Sequence, residues 1–363
     1  MGLLLSSVSS APAYTEKPQL TAQHGIELER VRSASKKVCI LIYFLERQQY
    51  GNNHTAIRDV ILLGFERLHN IKFFLFFLLL VIYCVTVCVN LLIIILVYYS
   101  KTLLQSPMYI FLTQLSISDI MLTTDIVPNL LCVILHESGK VPIESCLLQL
   151  NFFIFSETSE CFILTIMSYD RYLAICKPLY YKSIMNQSLY TKLVGISWLL
   201  SLFVMLISTI ETTSLDFCGP NLIDHFFCDA APLLKLSCSD TSRVEEIMMF
   251  LGIPVLFLPF IIIMFSYTYV IISIMKVPST TGKKKAFSTC SSHLTIVCIF
   301  YISLISIYVL PTSGQSSALS KILSIFYTVG TPLINPMIYT LRNKDIKVAF
   351  DKVINHFMKR YYL

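Results

Sequence analysis

Seven mostly apolar stretches, at approximately 71–99, 107–134, 146–170, 191–210, 246–275, 286–310 and 319–341, constrain this chain more than any other feature. Crossing roughly 30 Å of hydrocarbon takes about 20 helical residues, and a helix satisfies its own backbone hydrogen bonds where no water is at hand. Only 14% of the 363 residues are charged, whereas soluble domains carry about 25%. The second and third stretches are the weakest, because they hold Asp119, Glu157 and Glu160. The sequence predicts an all-α membrane protein. Its core is a seven-transmembrane helix bundle over 71–341, between an extracellular segment (1–70) and a cytoplasmic tail (342–363) carrying a short amphipathic helix.

Charge sets the expected orientation. One set of connections holds Lys101, then Arg171, Lys177, Lys182 and Lys192, then Lys276 and Lys283–Lys285, and the tail adds Arg342, Lys344 and Lys347. The other set is acidic, with Glu137, Glu144, Glu211, Asp216, Asp224, Asp229 and Asp240. Basic residues in short loops favour the cytoplasm, so the N-terminus is expected outside and the C-terminus inside a multi-pass plasma-membrane protein. Asn53-His54-Thr55, an N-glycosylation sequon, falls on the outer side. Residues 1–52 have no long apolar run and no periodicity. They are expected to be a disordered extension or an over-long start of the gene.

The net charge of +6 comes from these clusters and not from an aromatic–basic motif, so nucleic acid is not an expected partner. Cys84, Cys88, Cys132, Cys161, Cys176, Cys290 and Cys298 lie in or beside apolar runs, where a thiol acts as a small hydrophobe. Cys146, Cys218, Cys228 and Cys238 lie in outer connections, where disulfides persist, and four cysteines allow three pairings. No cofactor or metal is expected. Without a zincin HExxH, a P-loop or a nucleophile elbow, an enzyme is not expected either. A transporter or channel would bring internal repeats or rings of charge, and neither is found.

The most specific run is Met167-Ser168-Tyr169-Asp170-Arg171-Tyr172-Leu173-Ala174-Ile175-Cys176, at the inner end of the third span. It resembles the MAYDRYVAIC signature of olfactory receptors, a branch of the rhodopsin-like G-protein-coupled receptors, departing at Ser168 and Leu173. Pro107-Met108-Tyr109 with Leu115-Ser116-Ile117-Ser118-Asp119 looks like the family's second span. Lys285-Ala286-Phe287-Ser288-Thr289-Cys290-Ser291-Ser292-His293-Leu294 looks like its sixth, and Pro332-Leu333-Ile334-Asn335-Pro336-Met337-Ile338-Tyr339 like its seventh. The resemblance covers about 53–350. Val89-Asn90 stands where the family usually has Gly-Asn, and Ile302 follows Tyr301 where Gly is usual.

The resemblance implies an odorant receptor that binds a small hydrophobic volatile molecule in the bundle. It would activate a heterotrimeric G protein, of the stimulatory type that raises cyclic AMP, with membrane lipid as a further partner. A non-olfactory rhodopsin-like receptor is the alternative. The resemblance also implies disulfides Cys146–Cys228 and Cys218–Cys238, and a coupling switch of Asp170, Arg171, Tyr172, Tyr267, Asn335, Pro336 and Tyr339. It joins Asn90, Asp119 and Glu160 to Asn335 in a polar network with capacity for sodium or water; static interhelical hydrogen bonding is the other reading. Helical steps outward from Arg171 give ligand-pocket candidates Phe153, Ile154, Glu157 and Thr158. The fifth span offers Leu251, Gly252 and Val255, and the sixth Tyr301, Ile305 and Tyr308. Glu157 stands out because a buried carboxylate needs a partner or a proton.

Overall fold

The computed structural model describes residues 57–65, 71–136, 138–218, 221–308, 317–342 and 344–361. Asn53 and the readings made of residues 1–52 lie outside these. The apolar stretches form α1 (Lys72–Tyr99), α2 (Pro107–His136), α3 (Ile143–Cys176), α4 (Gln187–Thr213), α5 (Ser242–Lys276) and α6 (Thr280–Tyr308). The seventh, α7, runs as Ser317–Ile325, a π-helical turn Phe326–Gly330, and Thr331–Arg342. All seven are long and apolar enough to cross a membrane. The third stretch, α3, is among the least apolar as expected, but α7 rather than α2 stands beside it. Lys321, Asn335 and several threonines dilute α7 as the carboxylates dilute α3.

Burial follows the same logic. α3 is the most enclosed span and α5 the least. Met249, Phe250, Leu258, Ile261 and Phe265 of α5 are exposed, which suits a surface whose solvent is hydrocarbon. Between helices, the Trp198 indole of α4 donates to Gln114 of α2 at 2.9 Å and packs beside Phe155 of α3. The tail helix, α8 (Lys344–Tyr361), is amphipathic: Ile346 and Ala349 are buried while Lys347 and Val348 are exposed. Tyr109, in the first turn of α2, donates to Asp345 at 3.0 Å, placing an acidic group at the N-terminus of α8 where the helix dipole favours it.

Opposite the basic connections, the bundle carries a cap that hydropathy did not foretell. β1 (Asp59–Leu63) pairs antiparallel with β2 (Ser138–Pro142) and parallel with β3 (Leu222–Ile223), in the order β2-β1-β3. Val60 and Leu62 alternate inward and are fully buried, the period-two pattern of a half-buried strand. Disulfides join Cys146 at the start of α3 to Cys228, and Cys218 to Cys238. Gln149 ties the cap to the bundle, donating to the Asp125 carbonyl at 2.8 Å and accepting from the Cys228 N–H at 2.9 Å. Asp125 lies three residues before Pro128 inside α2, where a proline disturbs the local hydrogen-bond ladder.

Lys321 of α7 closes the cap. Its buried ammonium donates to the Gly64 carbonyl at 2.8 Å and pairs with Asp224. Next to Asp224, His225 is buried between the rings of Phe226 and Phe227. Burial, reinforced by the Lys321 ammonium and opposed by Asp224, lowers its pKa to about 4. The unfolded chain takes up this proton near pH 6.5, so between those values the unfolded state binds more protons and stability falls as pH falls. Thermal unfolding of the purified protein is expected to weaken from pH 6.5 toward 4, with His225 contributing at most about 1.4 kcal/mol per pH unit. His225→Phe is expected to flatten that slope; an equal slope in both proteins contradicts the assignment.

Candidate functional site

At the middle of the bundle the Asn335 amide of α7 donates to Asp119 of α2 at 3.0 Å and to Glu160 of α3 at 2.9 Å. All three are buried. Ser118, beside Asp119, donates to the Ser156 carbonyl at 2.9 Å and meets the Ser159 hydroxyl, drawing α2 against α3. Among the described residues no Lys or Arg makes an ion pair with Asp119, Glu157 or Glu160; the ion pairs are Lys140–Asp59, Arg171–Asp170, Arg243–Glu211 and Lys321–Asp224. One oxygen of Asp119 and both oxygens of Glu157 are buried without an aligned hydrogen bond there.

Asn90 joins this region differently from the expectation. Its amide donates to the Thr86 carbonyl at 3.1 Å and to the Pro332 carbonyl of α7 at 3.2 Å, and not to the carboxylates. The reason lies four residues on. Pro336 has no N–H, so the Pro332 carbonyl lacks its helical donor, and a side chain from α1 replaces it as a membrane-buried backbone requires.

Above the carboxylates lies a chain of rings, all buried except the half-buried Phe260 at its end. Phe227 of the cap packs on Phe153 of α3 at 5.4 Å, Phe153 on Tyr327 at 6.1 Å, Tyr327 on Phe300 at 6.4 Å, Phe300 on Tyr301 at 5.3 Å, and Tyr301 on Phe260 at 5.0 Å. The π-helical turn Phe326–Gly330 carries Tyr327, and such turns alter which side chains face inward. Of the pocket candidates, Phe153, Glu157, Thr158 and Tyr301 are buried, and Ile154, Leu251, Val255 and Ile305 are half-buried. Gly252 is exposed, and a Cβ there would meet open space; it does not join the ring chain. The Tyr308 side chain lies outside the described residues. Tyr327, Phe300, Phe227 and Phe260 were not singled out from the sequence. Their signal, an aromatic at successive inward positions, is indistinguishable from lipid-facing aromatics without knowing each helix's rotation.

At the basic end Arg171 pairs with its neighbour Asp170, which also accepts from the Tyr181 hydroxyl at 2.7 Å. Asp170 is fully buried, which suits a carboxylate with two charge-compensating donors. Tyr267 of α5 hydrogen-bonds His293 of α6 through Nδ1. Tyr339 is buried, and its hydroxyl has no partner among the described residues. Tyr172 points elsewhere, stacking with Tyr169 and meeting Tyr269 edge-on. Tyr181 and His293 were missed as site residues, although His293 lies within a quoted motif.

The Asn90 arrangement can be tested. Asn90→Leu strands the Pro332 carbonyl and is expected to lower stability by about 1–3 kcal/mol, the range for an unsatisfied buried acceptor. Adding Pro336→Ala returns a backbone N–H to that carbonyl and is expected to recover part of the loss. Thermal unfolding of the single and double variants reads this, and strict additivity of the two changes contradicts it.

Known proteins resemble the chain throughout this architecture. A family model described as olfactory receptor matches residues 79–358. Olfactory receptor 11L1 of Homo sapiens is 43% identical over 303 residues, covering 83% of this chain and 94% of the relative. Olfactory receptor 1468 of Rattus norvegicus is 42% identical, covering 83% and 96%, and olfactory receptor 1M1 of Mus musculus is 42% identical, covering 84% and 96%. Seven membrane-length helices, the Asp119–Glu160–Asn335 centre and this similarity together make the chain a member of the olfactory receptor family of G-protein-coupled receptors.

Proposed function

We propose that the chain is an odorant receptor of the plasma membrane, with its N-terminus outside and its C-terminus in the cytoplasm. It binds a small hydrophobic volatile ligand among the buried rings of α3, α6 and α7 and activates a stimulatory heterotrimeric G protein that raises cyclic AMP. The observation that carries this reading is continuity. The rings reach Glu157, which lies one turn from Glu160. Glu160 shares Asn335 with Asp119, and Pro336 and Tyr339 lead down α7 toward the basic end. A ligand that packs better against one arrangement of the rings shifts the balance between two bundle arrangements by the difference in its affinities for them.

Arg171, held by Asp170, which Tyr181 in turn braces, is in this reading the group released toward the G protein. Pro336 supplies the compliant point in α7, and Tyr267 and Tyr339 are the partners available to a moved Arg171. The basic connections, with Lys276, Lys283 and Lys284 nearby, offer an electrostatic surface to that protein and to anionic lipid. Asp119 and Glu160 have the oxygen chemistry for a sodium ion, whose departure would accompany activation. The Cys146–Cys228 and Cys218–Cys238 bridges hold the cap over the ligand; closing a loop of about 20 residues contributes roughly 3 kcal/mol in the chain-entropy model. The family is not enzymatic in general, and no step of this function calls for a cofactor.

A cyclic-AMP reporter in cells expressing the full chain, screened with varied odorants, is expected to give concentration-dependent responses that Arg171→Ala reduces at least about tenfold at matched surface expression, the loss of about 1.4 kcal/mol of coupling. Undiminished responses in the variant would remove Arg171 from the switch, and silence of the wild type without basal signalling would remove the receptor reading. Sodium chloride, against an equal concentration of choline chloride, is expected to raise the thermal stability of the purified protein but not of Asp119→Asn. Equal behaviour of the two proteins argues for a purely static network.

A further inference from the structure

Among the described residues, Glu157 is the carboxyl group that has both oxygens buried without an aligned hydrogen bond. It is 8% exposed and sits one turn of α3 from Glu160, a like charge. The Asn335 amide, which serves Glu160 and Asp119, does not reach it. The Tyr327 hydroxyl approaches the Glu157 carboxyl, yet neither oxygen has an aligned hydrogen bond among the described residues. A carboxylate taken out of water is costly unless something of opposite charge is brought to it, and within a membrane such a group marks a functional site.

Two aromatic side chains adjoin Glu157, Tyr327 and Phe153. Phe153 lies one turn away along the same face of α3, and its ring meets Tyr327 at 6.1 Å and Phe227 at 5.4 Å. Tyr327 meets Phe300, and Phe300 meets Tyr301; all five rings are buried. Ring faces attract cations, most strongly where water is excluded. A bare inorganic cation would need a shell of oxygen ligands, and phenylalanine rings supply none. An alkylammonium group asks for one carboxylate, a few ring faces and an apolar wall for its tail, the few-polar, mostly apolar composition of a ligand site.

Resting on the receptor reading above, we infer that the ligand class of this receptor is small alkylamines bound as ammonium ions, with Glu157 as the counter-ion and the rings of Phe153, Phe300 and Tyr327 around the charged head. Glu157 is thereby the residue that sets specificity for amine over alcohol. Small amines are volatile as neutral bases and take up a proton in water, so one molecule meets both the airborne and the bound requirement.

The test is binding to the purified full-length protein in lipid nanodiscs, read by thermal stabilisation with a series of n-alkylamines, the alcohols of equal chain length, and sodium chloride. The wild type is expected to bind the best amine at least about tenfold more tightly than its matched alcohol. In Glu157→Gln that ratio is expected to collapse toward one, and in Glu157→Asp to be partly restored. Phe153→Leu, which keeps the carboxyl and removes a ring, is expected to lower the ratio on its own and serves if the Gln variant fails to fold. Equal binding of amine and alcohol, no stabilisation of the wild type by any amine, or stabilisation by sodium chloride that amines do not exceed overturns the inference. The same proteins in the cyclic-AMP assay keep the two readings apart. Amine binding without any signal removes the coupling and leaves the ligand class, whereas an Arg171-dependent signal without amine preference removes the ligand class and leaves the receptor.

Discussion

One amide holds the centre of this bundle. Asn335 has two N–H donors, and both are spent on carboxyl oxygens, one from α2 and one from α3. In a membrane the hydrophobic effect does not press helices together, since lipid tails are as apolar as leucine. Packing and interhelical hydrogen bonds do that work. With α3 at the core of the bundle and α7 against it, the rest of the polar interior is arranged around this three-helix knot. The serines at 118, 156 and 159 close the α2–α3 seam beside it, and Asn90 braces the proline-weakened turn of α7 just before it.

Much of this was legible because chemistry in a bilayer is sparse. A polar residue in an apolar run is conspicuous, so Asn90, Asp119, Glu157, Glu160 and Asn335 announced themselves, and all five proved buried. Which of them meet was less legible. Asn90 was expected with the carboxylates, but a backbone vacancy created by Pro336 claims it, and that requires knowing that Pro332 faces α1. The ring chain was legible only in part, because Phe153 and Tyr301 could be counted outward from a motif. Tyr327 depends on a π-helical turn that shifts the register of α7, a feature hydropathy does not report.

The cap was the least legible element. Asp59–Leu63 is five residues long, and its alternation reads as an ordinary flank of the first span until its partners are known. Those partners, Ser138–Pro142 and Leu222–Ile223, are short segments from distant connections. Asp224 was likewise read as a loop charge, and Lys321 lay unremarked in the seventh stretch, although their pairing is what fastens α7 to the outer connections.

The position of Lys321 bears on how the molecule is assembled. The Gly64 carbonyl it binds belongs to a segment translated before the first helix, and the two residues are 257 positions apart. The strand between them in space, β1, also waits for connections on either side of α3 and α4. Contacts of such long range form late, and a chain stalled before its seventh helix exposes an unpaired strand edge and an unsealed mouth. Closure of the cap is therefore a signature that all seven spans have been delivered, written in the part of the molecule that emerges first.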